Sequence, residues 1–132
     1  MRYRHVRHRY EVMLATRRTF AWQTAELAVV FGPPRWRPNV DVCETSRAFI
    51  VTIELAGIDP EEVDILLYEN ALVVQGERPM TSCGEDGVYH EVEIRRGPIR
   101  LELPLPMPVV PTDVDARQEQ GLLRITLPKV GG

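Results

Sequence analysis

Cysteine is nearly missing from this chain: Cys43 and Cys83 are the two among 132 residues. No CxxC pair and no Cys/His spacing of a metal site exists, so no zinc site and no other metal site is expected. Both thiols are read as free, as a reducing compartment would leave them. No apolar run approaches the roughly 18 residues a membrane span needs. The basic N-terminus lacks the apolar stretch and small-residue cleavage site of a secretory signal, so a cytoplasmic protein that does not enter membranes is expected. The sequence also lacks GxSxG, P-loop and GxGxxG motifs, which removes the common hydrolase and nucleotide chemistries. No cofactor is implied, and the chain is not read as an enzyme.

Proline and glycine are absent from residues 1–31, and acidic charge is scarce there. Seven arginines against two glutamates leave residues 1–35 at +5, whereas nine basic and 17 acidic groups leave residues 36–132 at −8. Opposite signs suggest two physical roles. Tyr10, Met13, Leu14, Phe20, Ala21, Leu27 and Val30 fall loosely on a helical stripe, which predicts one helix, or two short ones, between about Tyr10 and Val30. The segment GPPRWRP, residues 32–38, ends that pattern: Pro33, Pro34 and Pro38 forbid helix and favour extended chain.

From Asn39 onward the period changes to two. Val40 and Val42 share a face, as do Phe49, Val51, Ile53 and Leu55. DILLY and ALVVQGE are two strands joined at Glu69-Asn70. In VYHEVEIRRG, His90, Val92 and Ile94 face one way, Tyr89, Glu91 and Glu93 the other. Ile99, Leu101, Leu103 and Leu105 alternate with Arg100 and Glu102. A weaker strand surrounds Val114 and Ala116, a tight turn EQG follows, and Leu123, Ile125 and Leu127 alternate with Arg124 and Thr126 before Pro128 stops the ladder. About eight short strands with regular turn signals and no long helix between them predict an all-β, immunoglobulin-like antiparallel β-sandwich.

Residues that invite a chemical reading have a plainer one. His90 lies on a strand, where a lone histidine is normally structural. Glu61 and Glu62 stand at the start of a short turn that Asp59 caps. Cys83 has no basic neighbour in the local sequence to activate it. The arm MRYRHVRHRY has the composition of an anionic-surface or nucleic-acid binder. The −8 on the rest of the chain favours pairing with the acidic domain of its own or a neighbouring subunit instead, so nucleic acid is not the preferred partner.

Two stretches, ELAGIDPEEVDILLYENALVVQGER (54–78) and ARQEQGLLRITLPK (116–129), resemble the α-crystallin domain of the small heat-shock proteins, in the bacterial and plant form with a strand-exchange loop. In the second, Ala116, Gly121, Leu122, Leu123, Leu127 and Pro128 match that family's closing signature. YHEVE followed by GPI and LP is similar to its Trp-His…Glu…Gly-x-Phe…Leu-Pro run. The resemblance covers about residues 36–129. It divides the chain into an arm at 1–35, basic and partly helical, a sandwich at 36–129 and a residual tail at 130–132.

The resemblance implies an ATP-independent holdase that binds partly unfolded client proteins and prevents their aggregation. It implies a homodimer, with higher oligomers through the arm. In that dimer a strand of about Val88–Ile94, including His90, Val92 and Glu93, would be lent to the partner's Asn39–Glu44, where Val40 and Val42 lie. It implies a peptide groove between Val63, Ile65 and Leu67 on one side and Val114 and Ala116 on the other. Tyr10, Met13, Leu14, Phe20, Trp22, Leu27 and Val29 of the arm would supply adaptable client contacts. Two departures stand out. Leu101 occupies the position where the family commonly has Arg. The sequence stops at Lys129-Val-Gly-Gly, where relatives continue into an Ile-x-Ile/Val anchor, so tail-driven assembly is not expected. An open apolar edge is a liability, so a client or part of the arm should fill the groove. Leu27-Ala28-Val29 has suitable spacing for an extended strand, but the end of an amphipathic helix is the preferred reading, because no breaker precedes it. A non-chaperone adaptor built on the same sandwich, and nucleic-acid binding through the arm, are the alternative readings.

Overall fold

The computed structural model describes residues 8–9, 12–14 and 36–131. Their strands are β1 (His8–Arg9), β2 (Val12–Leu14), β3 (Val40–Glu44), β4 (Ala48–Glu54), β5 (Val63–Leu67), β6 (Ala71–Arg78), β7 (Gly97–Pro104), β8 (Asp115–Glu119) and β9 (Leu122–Pro128), with 3₁₀ turns at Pro60–Glu62 and Pro111–Asp113. One sheet runs β1-β8-β9-β4-β3 and the other β2-β5-β6-β7. Every pairing is antiparallel except β2 with β5, which is parallel. The expected sandwich is present.

Alternation sets the core. In β4, Phe49, Val51 and Ile53 are buried, and opposite them in β9 stand Leu127, Ile125 and Leu123. The other sheet contributes Ile65, Leu67, Leu72, Val74, Ile99 and Leu101 to the same cluster. Each such side chain contributes roughly 1.5–3 kcal/mol relative to remaining exposed. The closing strand β9 therefore sits in the middle of its sheet, between β8 and β4, and cannot be trimmed without opening the core.

Turn chemistry follows the residues. Gln120 and Gly121 both adopt positive φ, 54° and 79°, as a two-residue hairpin between right-twisted strands requires. Asp59 accepts a hydrogen bond from the Glu61 N–H at 3.0 Å, so Glu61 and Glu62 belong to a capped turn. The Tyr68 N–H donates to the Ala71 carbonyl at 2.8 Å, closing the Glu69-Asn70 turn.

Two expectations need correction. The helix expected from Tyr10 to Val30 is not what Val12–Leu14 form: those residues are strand, laid beside β5. An open sheet edge offers a ready ladder, and that tertiary pairing overrides a weak helical stripe. The remaining positions of that span lie outside the described residues. The segment Val88–Ile94 is not a strand here, and its residues are exposed. Alternation equips a segment for a ladder, but its own chain offers it no neighbour.

Leu123 and Leu122 are adjacent and face opposite ways, 0% and 43% exposed. Leu123→Ala should cost about 2–5 kcal/mol of stability, and Leu122→Ala no more than about 0.5 kcal/mol. Urea unfolding of the two variants checks this.

Candidate functional site: two sheet edges and an exposed loop

Among the described residues no group of three His, Cys, Asp or Glu side chains stands close enough to hold a metal ion. Among the same residues no helix is long and apolar enough to cross a membrane. His90, Glu61, Glu62, Cys43 and Cys83 are all exposed. What the surface does offer is unpaired strand edge and apolar side chains in water.

At one side of the sandwich stand β3 and the loop between β6 and β7. β3 is the last strand of its sheet, with β4 as its one neighbour among the described residues. Val40 and Val42 lie across from Ile53 and Val51, which are buried. They therefore belong to the core-facing side, yet Val42 is 54% exposed at the rim. The loop from Pro79 to Arg96 leaves the sandwich close by. Within it Met80, Val88, Tyr89, Val92 and Ile94 are all exposed. Exposed apolar groups at this density mark a contact surface.

The loop is nonetheless held at its base. Arg78 ends β6, and its guanidinium lies 4.5 Å from the Trp36 ring centre. Its Nε donates to the Ala56 carbonyl at 3.0 Å and a terminal nitrogen to the Arg95 carbonyl at 2.9 Å. Trp36 in turn hydrogen-bonds along β7: its N–H donates to the Pro98 carbonyl, and its own carbonyl accepts from the Arg100 N–H, both at 3.2 Å. Across the loop, the Tyr89 hydroxyl donates to the Thr81 carbonyl at 2.6 Å. The proline-rich linker, the loop stem and β7 are thus tied at a single arginine, a residue that periodicity does not single out. A cleft beside it is lined by Trp36, Asn39, Glu54, Arg78, Ile94 and Arg95.

At the opposite side are the edges of β5 and β8. Val63, Ile65 and Leu67 point inward and are buried, as is Ala116; Val114 packs partly buried against them. Both main-chain edges are covered in part. Val12, Met13 and Leu14 pair with Ile65, Leu66 and Leu67, and His8 and Arg9 pair with Gln118 and Arg117. Val12 packs against the core. The five groove residues named from the sequence thus lie together beneath a segment of the arm. The described residues of that segment are His8, Arg9 and Val12–Leu14; Leu27, Ala28 and Val29 lie outside the described residues, as do Tyr10, Phe20 and Trp22.

The pattern of the Hsp20/alpha crystallin family matches residues 41–131. The chain belongs to the Hsp20/alpha crystallin family. Small heat shock protein C2 of Rickettsia felis is 30% identical over 92 residues, 70% of this chain and 60% of that protein. The 16.9 kDa class I heat shock protein 1 of Triticum aestivum is 34% identical over 92 residues, 69% of this chain and 61% of that one. The chain thus spans about three fifths of the length of these curated relatives. Among solved structures, heat shock protein 16.0 of Schizosaccharomyces pombe superposes with a TM-score of 0.68 at 28% identity, over 73% of this chain and 89% of that chain. The hspA protein of Xanthomonas axonopodis gives 0.65 at 29% identity, over 73% and 96%. At the position where the resemblance implies Arg, Leu101 is fully buried in the core, opposite Val74. The neighbouring Arg100 lies on the outer face, 2.6 Å from Glu102 and 2.9 Å from Gln75.

Arg78→Ala removes the ring stack and both directed donors together. Hydrogen exchange at the Trp36 amide should quicken by about tenfold, while the β9 amides stay protected. Arg78→Lys should not restore protection, because an ammonium lacks the planar fork. Native-state exchange measured by NMR checks both.

Proposed function

We propose that this chain is an ATP-independent holdase that captures partly unfolded proteins and keeps them from aggregating. It would act in the cytoplasm as a homodimer formed by strand lending. The loop segment Val88–Ile94 of one copy adds to the β3 edge, Val40–Glu44, of the other. The observation that carries the dimer is the pairing of two incomplete features. The loop presents Val88, Val92 and Ile94 at alternate positions, each more than 60% exposed, and β3 is an edge strand with Val42 54% exposed. An alternating apolar segment without a ladder, beside an edge with one, is the geometry of β-augmentation.

The holdase reading rests on the family membership and on the physics of the surface. Capture without turnover needs apolar contact area and adaptable segments, not an acid–base pair. The β5/β8 groove suits an extended client segment, since buried Val63, Ile65 and Leu67 form its floor and an edge supplies main-chain groups. The adaptor reading uses the same edges and differs in outcome: it predicts stable binding of folded partners and no effect on aggregation.

Light scattering of a heat-aggregating model protein separates the two. Suppression should be roughly stoichiometric and unchanged by ATP; undiminished scattering at several-fold molar excess selects the adaptor. For the dimer, Val92→Pro is the informative change. Val92 lies in an exposed segment outside any strand, so proline there leaves the sandwich intact but removes a ladder donor. Sedimentation should find a monomer; a variant that remains dimeric rules out this strand as the joint.

A further inference from the structure

We propose that the cleft between the proline-rich linker and the loop stem is an oxyanion site that takes a phosphate group. Such a site requires neither strand lending nor the β5/β8 groove. The cleft has a volume of about 400 Å³. Its cations come from three separate stretches: Arg37 of the linker, Arg78 at the end of β6 and Arg95 at the end of the loop. Glu54 of β4 is the one carboxylate among its lining residues. Three guanidiniums against one carboxylate, +3 − 1, leave +2 here, within residues 36–132, whose net charge is −8. Acid is not scarce nearby: Arg100, Arg117 and Lys129 each hold a carboxylate, at 2.6, 2.8 and 2.8 Å. Among the described residues, Arg37, Arg78 and Arg95 enter no ion pair. The donors of Arg78 reach the Ala56 and Arg95 carbonyls, and its guanidinium lies over the Trp36 ring. All three partners are neutral, so a half-buried positive charge is held in place without being offset. Glu54 is engaged by the Asn39 side-chain amide, whose Nδ2 donates to its Oε2 at 3.2 Å.

A guanidinium favours oxyanions because its planar fork matches two acceptor oxygens at once. Arg78 is fixed before any ligand arrives, so it loses little side-chain freedom on binding. A carboxylate offers two oxygens, which one fork already satisfies. A phosphate group offers three oxygens on a tetrahedral centre and a charge of about −2, so several guanidiniums can share it and the local excess is offset. Trp36 and Ile94 add apolar wall to the cleft, which suits the organic part of a phosphate monoester. Glu54 opposes the same anion and limits its affinity. A bound phosphate would join the linker to both ends of the 79–96 excursion, since Arg78 precedes it and Arg95 lies at its close.

The test is equilibrium dialysis of the full-length chain against inorganic phosphate and against phenyl phosphate, at constant low ionic strength. Saturable binding of one equivalent per chain is expected at millimolar ligand. Arg37→Gln with Arg95→Gln should weaken it at least about tenfold; both side chains are exposed, so the sandwich keeps its core. Glu54→Gln, at another exposed position, should tighten it by about threefold or more, because the opposing charge is gone. These variants leave every arginine of residues 1–35 in place. Phosphate that binds the double variant as tightly as the parent is therefore held elsewhere, and overturns the site. Absence of saturable binding to the parent overturns it too, as does displacement of phosphate by an equal concentration of added chloride. Within a standing site the two ligands separate the sources. Tighter binding of phenyl phosphate assigns the cleft to a phosphate carried on an apolar body, and equal affinity assigns it to the free ion.

Discussion

A β-sandwich buries the faces of its sheets but cannot bury their edges, and an edge strand carries main-chain donors and acceptors that must find a partner or stay in water. In this chain the sheets end at β3 and β7 on one side and would end at β8 and β5 on the other, were it not for β1 and β2. Nearly every feature with functional meaning is a response to that constraint. The core is ordinary in its economy: alternating Val, Ile and Leu side chains interdigitate between the sheets, and no buried polar side chain interrupts them among the described residues. Nothing in that interior sets this sandwich apart from any other; its edges do.

The two sides respond differently. At β5 and β8 the chain covers itself, with a segment from its own arm. At β3 it does not. There the linker through Trp36 runs along β7, bridging to Ile99, and leaves the far edge of the neighbouring sheet open. The Arg78 clamp is what makes that opening specific. By fixing the loop stem to Trp36, Ala56 and Arg95, it holds the departure point of the 79–96 excursion while the apolar tip stays in water. A loop that was loose at its base would lose more entropy on pairing.

The strands from Val40 to Pro128 were legible because one buried face imposes a period of two, and the residues that punctuate them are ones with conformational reasons to be there: Asn70, Pro60, Gly121. Two misreadings share one cause. Val88–Ile94 alternates as well as β9 does, yet it has no ladder in its own chain, because alternation records the segment's preferred company and not whether the company is present. Val12–Leu14 shows the converse. Its residues sit on a passable helical stripe, but an unfilled edge at β5 determines the outcome. Secondary structure at a sheet edge is a property of two segments, and a pattern read along one of them is blind to the other. The groove residues were legible for the same reason as the core: Val63, Ile65, Leu67 and Ala116 are core positions that happen to border an edge. Arg78 was not, since a single arginine at a strand end carries no periodic signal, and its contacts at Trp36, Ala56 and Arg95 lie far apart in sequence.

An edge filled from within and an edge left open also place opposite demands on strength. An edge that recruits a second copy gains from a preformed, alternating strand and a fixed stem, because each reduces what ordering costs on association. An edge meant to yield must be covered weakly, by few residues, with its apolar floor already assembled so that exposure exacts no rearrangement of the core. The covered edges carry short ladders: β1 and β2 span two and three residues, against five in β3. The floor under β2 is complete without it, since Ile65 and Leu67 pair with Val74 and Leu72 on β6. β2 therefore adds cover to a face that β5 and β6 already build.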